Sequence, residues 1–222
     1  SESADILRVY TRPKLGRRNI FGIKIPAWKR IVDIMGSALC VLIFSSVMFA
    51  IAIAIKLTST GPIIFKQKRV GIRGRPFTFY KFRSMIIDAE EKKKELLQHN
   101  LRTGPVFKMK NDPRVTFVGK FIRKWSLDEL PQFFNVLKGD MSLVGPRPPT
   151  MDEVPQYINW HNRRLDIKPG ITCIWQIYAR HNKCFENWVR LDIEYARSQS
   201  FLLDLKILFL TLPAVISRRG AQ

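Results

Sequence analysis

At 222 residues the chain is long enough for one well-packed domain plus a membrane element, and too short for two such domains. Its 38 lysines and arginines against 18 aspartates and glutamates leave a formal net charge of +20. That excludes a cationic partner and points to nucleic acid, anionic lipid headgroups or phosphorylated substrates, while the 3 cysteines form no disulfide framework and, with His181, no common zinc spacing.

Residues 1–28 read as a basic arm, with Arg8, Arg12, Lys14, Arg17, Arg18 and Lys24 set against Glu2 and Asp5. Such an arm is expected to be solvated or lipid-facing. Residues 29–58 form the membrane element. Ile34 to Ile55 carries no charge and as a helix reaches about 33 Å, enough for a hydrocarbon core of about 30 Å. Lys29 and Arg30 precede this run and Lys56, Lys66 and Lys68 follow it, so the positive-inside rule puts both ends on the cytoplasmic side. A helix that enters one leaflet and returns reconciles length with charge, provided that something bends it. Asp33, costly in apolar surroundings, is expected to pair with Lys29 or Arg30 one turn earlier. No small-residue cleavage pattern follows the run, so a secretory signal is not expected.

Residues 59–222 read as one cytosol-facing domain. Ile63–Val70 and Phe77–Met85, joined by Gly71 to Pro76, predict a β-hairpin. No acidic residue lies between Asp33 and Asp88, and Phe77, Phe79, Tyr80 and Phe82 alternate with basic residues. That pattern suits a nucleotide, an interfacial membrane contact or a core-packed hairpin. Asp88 to Asn100 is a polar helix candidate. Val115 to Lys124 predicts a second helix that gathers Val118, Phe121, Ile122 and Trp125 on one side and turns Arg123 elsewhere. Helices are also expected over Val154–Leu165 and Glu186–Ser198. Phe201 to Ile216 suits either an amphipathic helix in the headgroup plane or a core helix, and Asp204 within it needs a cationic partner or a function.

The densest chemistry lies between Arg123 and Pro148. Pro131 has no amide hydrogen and is tolerated only in a first helical turn, which predicts a helix start near Ser126 to Asp128. Asp128 and Glu129 then sit at a positive helix end, where two carboxylates can hold a divalent metal that bridges to phosphate oxygens. On a helix the two project about 100° apart and cannot duplicate one another. Arg147, between Pro146 and Pro148, is carried on a stiff loop suited to bidentate phosphate binding. Two plainer readings stand beside these: Ser126 to Glu129 also fits a capping box, and Arg147 also fits a solvated loop arginine.

Several stretches together resemble the bacterial sugar transferases, the monotopic polyprenyl-phosphate phosphoglycosyl transferases. They are Lys29-Arg30 with Asp33, Tyr80-Lys81-Phe82-Arg83-Ser84-Met85, Ser126-Leu127-Asp128-Glu129-Leu130-Pro131-Gln132, Asn135-Val136-Leu137-Lys138-Gly139-Asp140-Met141-Ser142, Gly145-Pro146-Arg147-Pro148, Lys168-Pro169-Gly170-Ile171-Thr172 and Leu203-Asp204-Leu205-Lys206. They run from 29 to 206 in the family's order.

The resemblance implies transfer of a sugar 1-phosphate, from a UDP-sugar such as a hexose donor, to undecaprenyl phosphate, with UMP released and Mg2+ as cofactor. It implies Asp128 as nucleophile, with Glu129 orienting the metal or a water. Arg123, Arg147 and Arg180 are implied to neutralise phosphates, with Lys81 and Asp204 carried by motif position. The family's membrane helix bends at a Ser-Pro pair, and here that place reads Ser45-Ser46. A Gly-Arg pair of the family becomes Ala179-Arg180.

The expected fold is therefore α+β and mainly helical: a re-entrant membrane helix, a short β-hairpin and interfacial amphipathic helices around one catalytic domain at the cytoplasmic face of the bacterial inner membrane. Anionic lipids are expected partners and nucleic acid is not. Homo-oligomerisation stays open. A non-catalytic membrane scaffold and a membrane-associated RNA-binding protein are the two rival readings, the latter resting on the Gly71-Ile72-Arg73-Gly74 loop.

Overall fold

The computed structural model describes residues 25–96, 98, 100, 104–107, 109, 111–178 and 184–216. The basic arm, up to residue 24, and Arg180 lie outside the described residues.

Helix α1, Ala27–Thr58, follows Pro26 and runs for 32 residues, so it starts two residues before the expected membrane element. It is long and apolar enough to cross a bilayer. The stripe it buries begins with Lys29, Asp33 and Ser37 and ends with Ile51 and Ile55. Its outer face, meanwhile, leaves Met35, Leu39, Leu42, Ile43, Phe49 and Leu57 exposed. In water that is the wrong way round.

The backbone stays helical through Ser45 and Ser46, and the Ser45 hydroxyl donates back to the Leu42 carbonyl at 2.8 Å. No break of the helical class therefore marks the expected bend. Both ends nevertheless meet one body. The Arg30 guanidinium donates to the Val136 and Leu137 carbonyls, and Ser59 accepts from Arg83 at the far end.

The hairpin pairs β1, Ile64–Val70, with β2, Pro76–Phe82, in antiparallel register from Ile64 opposite Phe82 to Val70 opposite Pro76. β2 ends at Phe82, short of the predicted Met85, which instead bridges to Val115. Phe77, Phe79 and Phe82 are buried, so the core-packed alternative holds for these three aromatics. Asn135 ties the hairpin to the helix behind it: its Oδ1 accepts from the Tyr80 amide and its Nδ2 donates to the Thr78 carbonyl.

The polar stretch after the hairpin forms α2, Ala89–Glu95, shorter than expected. α3, Phe117–Lys124, starts at Thr116, whose hydroxyl accepts from the Gly119 amide. Gly119 is required there, because a Cβ would stand 2.0 Å from the Ser84 carbonyl oxygen. α4, Gln132–Lys138, ends on Gly139 at φ 92, a left-handed stop in which the Gly139 amide reaches the Asn135 and Val136 carbonyls.

β3, Ser142–Val144, lies parallel to β4, Gly170–Thr172, so closely that a Cβ on Gly170 would meet the Gly145 amide nitrogen at 2.1 Å. The helix expected over Val154–Leu165 is absent. Two 3-10 segments, Val154–Gln156 and His161–Asp166, stand there, split where Tyr157 takes an extended backbone with ψ 134. α5, Ile174–Tyr178, α6, Phe185–Ser198, and α7, Phe201–Ile216, complete the chain.

The main core gathers Val136, Met141, Val144, Val189 and Ile207 around Trp175 stacked on Trp188, with ring centroids 4.4 Å apart. A second cluster, Ile51, Ile55, Phe82, Ile122 and Leu130, clasps the C-terminal half of α1 onto the hairpin and α3. Each such isoleucine contributes roughly 1.5–3 kcal/mol. α7 meets the core on one side, where Asp204 and Ile207 are buried, and exposes Leu202, Phe209 and Leu212 on the other. The described residues are thus α+β and mainly helical, as expected.

Candidate active site

The reactive stretch begins where α3 stops. Ser126 takes a left-handed backbone, φ 55 and ψ 20, at a cost of about 1–2 kcal/mol for a residue with a side chain. The chain then makes one 3-10 turn, Leu127–Glu129, held by the Leu130 amide on the Leu127 carbonyl. Pro131 cannot donate, so α4 proper starts at Gln132. Asp128 and Glu129 therefore precede that helix rather than occupy its first turn. Ser126 makes no side-chain capping bond, which sets the capping box aside. Strain held at one turn, with a carboxylate beside it, is a feature of functional sites.

The turn carries Asp128 inward, to 6 % exposure, while Glu129 stays half-buried. The Lys81 ammonium, from β2, lies 3.6 Å from Asp128 Oδ2. Burial pulls Lys81 below the usual lysine range, Asp128 pulls it back up, and Arg123 and Arg69 push it down again. Arg123 sits in the last turn of α3 with a buried Nη1 that has no hydrogen-bond partner.

Arg69 was missed by sequence reading. It is 9 % exposed, stacks over Phe79 at 4.6 Å, and is lowered to about 9 by burial first and by Arg147 second. The signal was weak, one arginine among many on a basic hairpin.

Arg147 rides on a loop gripped by its carbonyls. The Pro146 oxygen accepts from the Gly170 amide, Arg147 from Arg164 Nη2, Pro148 from Arg69 Nη1 and Pro149 from the Val70 amide. Pro146, Pro148 and Pro149 offer no amides, so at these positions the backbone can be held only through its carbonyls. Arg147 also reaches Glu153 at 3.5 Å. Arg164, buried behind the loop, pairs with Asp192 of α6. Burial raises Asp192 to about 6 despite that partner.

Lys81, Arg123, Asp128 and Glu129 thus come together, with Arg69 linking them electrostatically to Arg147. Asp204 does not join them. Its Oδ2 accepts from Lys29 at 2.5 Å and its Oδ1 from the Tyr195 hydroxyl at 2.5 Å. Lys29 spends its other donors on the Tyr195 hydroxyl and the Val144 carbonyl. With Lys29 committed there and Arg30 on the end of α4, Asp33 has neither expected partner. It accepts instead from the Ser142 hydroxyl and the Leu143 amide, at 2.9 and 2.8 Å. Asp204, buried and bonded to Lys29 and Tyr195, ties α7 to α1 and α6, apart from the Asp128 group. Tyr195, whose titration burial and Asp204 push well above the ordinary phenol range, was also missed.

Two carboxylates suit magnesium, which takes one or two from the protein and the rest from phosphates and water. Among the described residues no group of three or more His, Cys, Asp or Glu offers a fuller cage.

A buried carboxylate beside a left-handed turn, with Lys81 at 3.6 Å and Arg123 and Arg69 near that lysine, is accompanied by a helix whose apolar side faces outward. The model of the bacterial sugar transferase family matches residues 25–218, and the chain belongs to that family. It is similar to the galactosyl transferase CpsE of Streptococcus agalactiae serotype III (strain NEM316), 53% identical over 195 residues, which are 87% of this chain and 43% of that protein. The undecaprenyl-phosphate galactose phosphotransferase of Salmonella typhimurium is 45% identical over 198 residues, 87% of this chain and 41% of its own. The UDP-glucose:undecaprenyl-phosphate glucose-1-phosphate transferase of Klebsiella pneumoniae is 44% identical over 193 residues, 83% of this chain and 39% of its own. The chain spans about two-fifths of the length of these relatives.

Proposed function

We propose that this chain is a phosphoglycosyl transferase that moves a hexose 1-phosphate from a UDP-sugar to undecaprenyl phosphate and releases UMP. The relatives are named for galactose and for glucose transfer, which is why a hexose is the donor class. The reading is carried by one observation: the buried Asp128 carboxylate has Lys81 at 3.6 Å, and beside them Arg123 holds a buried guanidinium nitrogen with no hydrogen-bond partner. A buried guanidinium nitrogen left without a partner calls for an anionic ligand.

In the first step Asp128 attacks the sugar-bearing phosphorus. The bond from that phosphorus to the bridging oxygen breaks, and UMP leaves with the electron pair. The carboxylate needs no base to remove a proton. In the second step a phosphate oxygen of the lipid attacks the same phosphorus and Asp128 departs unchanged. Arg147, Arg123 and Lys81 balance charge on the transferred and leaving phosphates, and Arg69 fixes the loop that presents Arg147. Asp128 and Glu129 would hold Mg2+, which supplies further charge neutralisation.

A re-entrant α1 fits the same reading. Both ends of the helix bond to the same body, Arg30 to the Val136 and Leu137 carbonyls and Ser59 to Arg83. That anchorage, with basic residues flanking both ends, favours a helix that dips into one leaflet of the inner membrane, with the site at its cytoplasmic face and anionic lipid around the basic surface. There the enzyme would take the first membrane step of a polysaccharide pathway.

The test is a half-reaction that needs no lipid. Wild-type protein should exchange labelled UMP into UDP-galactose or UDP-glucose, and Asp128→Asn should abolish both exchange and transfer. Exchange at the full rate in Asp128→Asn would remove Asp128 as nucleophile.

A further inference from the structure

Beside the carboxylate turn lies a cavity of about 540 Å³ that the reaction as drawn does not use. Phe44 of α1, Phe121 of α3 and Trp125 just after it, Phe133 of α4, and Leu212 and Val215 of α7 wall it. Its surface is mostly apolar. Ser126, Leu127 and Glu129, the neighbours of Asp128 on the reactive turn, stand in one wall. Phe121 and Leu212 are exposed, 58% and 61%, and continue the outward apolar faces of α1 and α7.

We infer that this cavity holds the phosphate-proximal isoprenoid units of the acceptor lipid. The inference rests on the reading above and adds where the acceptor's chain goes. Protein interiors pack densely, and an apolar void next to a cluster of charges is costly unless an apolar ligand fills it. The occupant must be apolar along most of its length, because the walls are mostly apolar, and its reactive end must meet the turn that carries Glu129 and Asp128. Four aromatic rings in the walls suit flat, methyl-branched alkene units. A lipid entering by this route keeps its tail in the leaflet and brings its phosphate to the turn without crossing water.

Two measurements test it. In the first, Val215→Trp and Phe121→Trp fill the cavity from opposite walls. Each should raise the KM for undecaprenyl phosphate at least tenfold, while the lipid-free exchange of labelled UMP stays within twofold of wild type. Normal acceptor KM in both variants would overturn the inference, as would equal loss of exchange and transfer in both. Absence of exchange in wild type would instead sink the reading on which it rests.

The second uses the unaltered protein in vesicles, with undecaprenyl phosphate carrying a diazirine on its first isoprenoid unit. Crosslinks should fall on the segments of Phe121 and Val215 and be displaced by unlabelled undecaprenyl phosphate. Crosslinks elsewhere, or equal labelling by a phospholipid with a diazirine in its acyl chain, would overturn it.

Discussion

Helices α1 and α6 solve opposite problems. α6 buries Trp188, Val189, Leu191, Ile193, Tyr195 and Ala196 and shows Glu186, Arg190 and Arg197 to the outside, which is the pattern water imposes. α1 buries Lys29, Asp33 and Ser37 and turns Met35, Leu42 and Phe49 outward. The difference teaches that the two helices are patterned for different surroundings. On α1 polar bonds hold the N-terminal part to the domain, while Ile51 and Ile55 hold the C-terminal part by apolar packing. Lys29, Arg30 and Asp33 accordingly make seven polar bonds to the body between them.

The sharpest way to break this contrast is at the buried pair. Asp204→Leu strands the Lys29 ammonium and should cost about 3–5 kcal/mol, read by chemical unfolding in micelles. Adding Lys29→Met should recover most of that loss, because two apolar groups replace two paired charges.

A charge on the outer face comes next. Leu42→Arg should weaken insertion by about 2.5–3.5 kcal/mol and move protein from floated vesicles to the soluble fraction.

α6 has its own buried carboxylate, and it predicts a pH effect. Asp192 is raised in the folded state to about 6 from 3.8, so its contribution is fully present below 3.8 and is lost as pH rises through about 6. Between pH 4 and 6.5 the stability of wild type relative to Asp192→Asn should fall by on the order of 2 kcal/mol, seen in melting temperatures. The smallest change belongs to the wet face: Arg190→Ala should stay within about 0.5 kcal/mol of wild type in the same unfolding assay.

Much of this was legible in the chain. Periodicity placed α6 within one residue and α7 at both ends, because each is a long run with a consistent pattern. The grouping of Asp128 and Glu129 with Arg123 was legible because their stretch is compact. What escaped depends on contacts between distant residues. Nothing near Asp204 announces Lys29, which lies 175 positions earlier. Local spacing offered Asp33 two neighbours, and tertiary structure gave both to other partners. Val154–Leu165 looked helical from its composition, but Tyr157 and His161 turn into an aromatic cluster with Phe185, and the backbone bends to deliver them.

The loop at Arg147 has one more implication. Its four successive carbonyls are gripped by residues 69, 70, 164 and 170, drawn from three separate parts of the chain. Until the hairpin, the 3-10 segment and β4 have all docked, the guanidinium has no fixed address. A nascent or damaged chain already lodged in the lipid would therefore lack a competent anion clamp, and loss of sugar-phosphate turnover would report a misassembled domain before gross unfolding did.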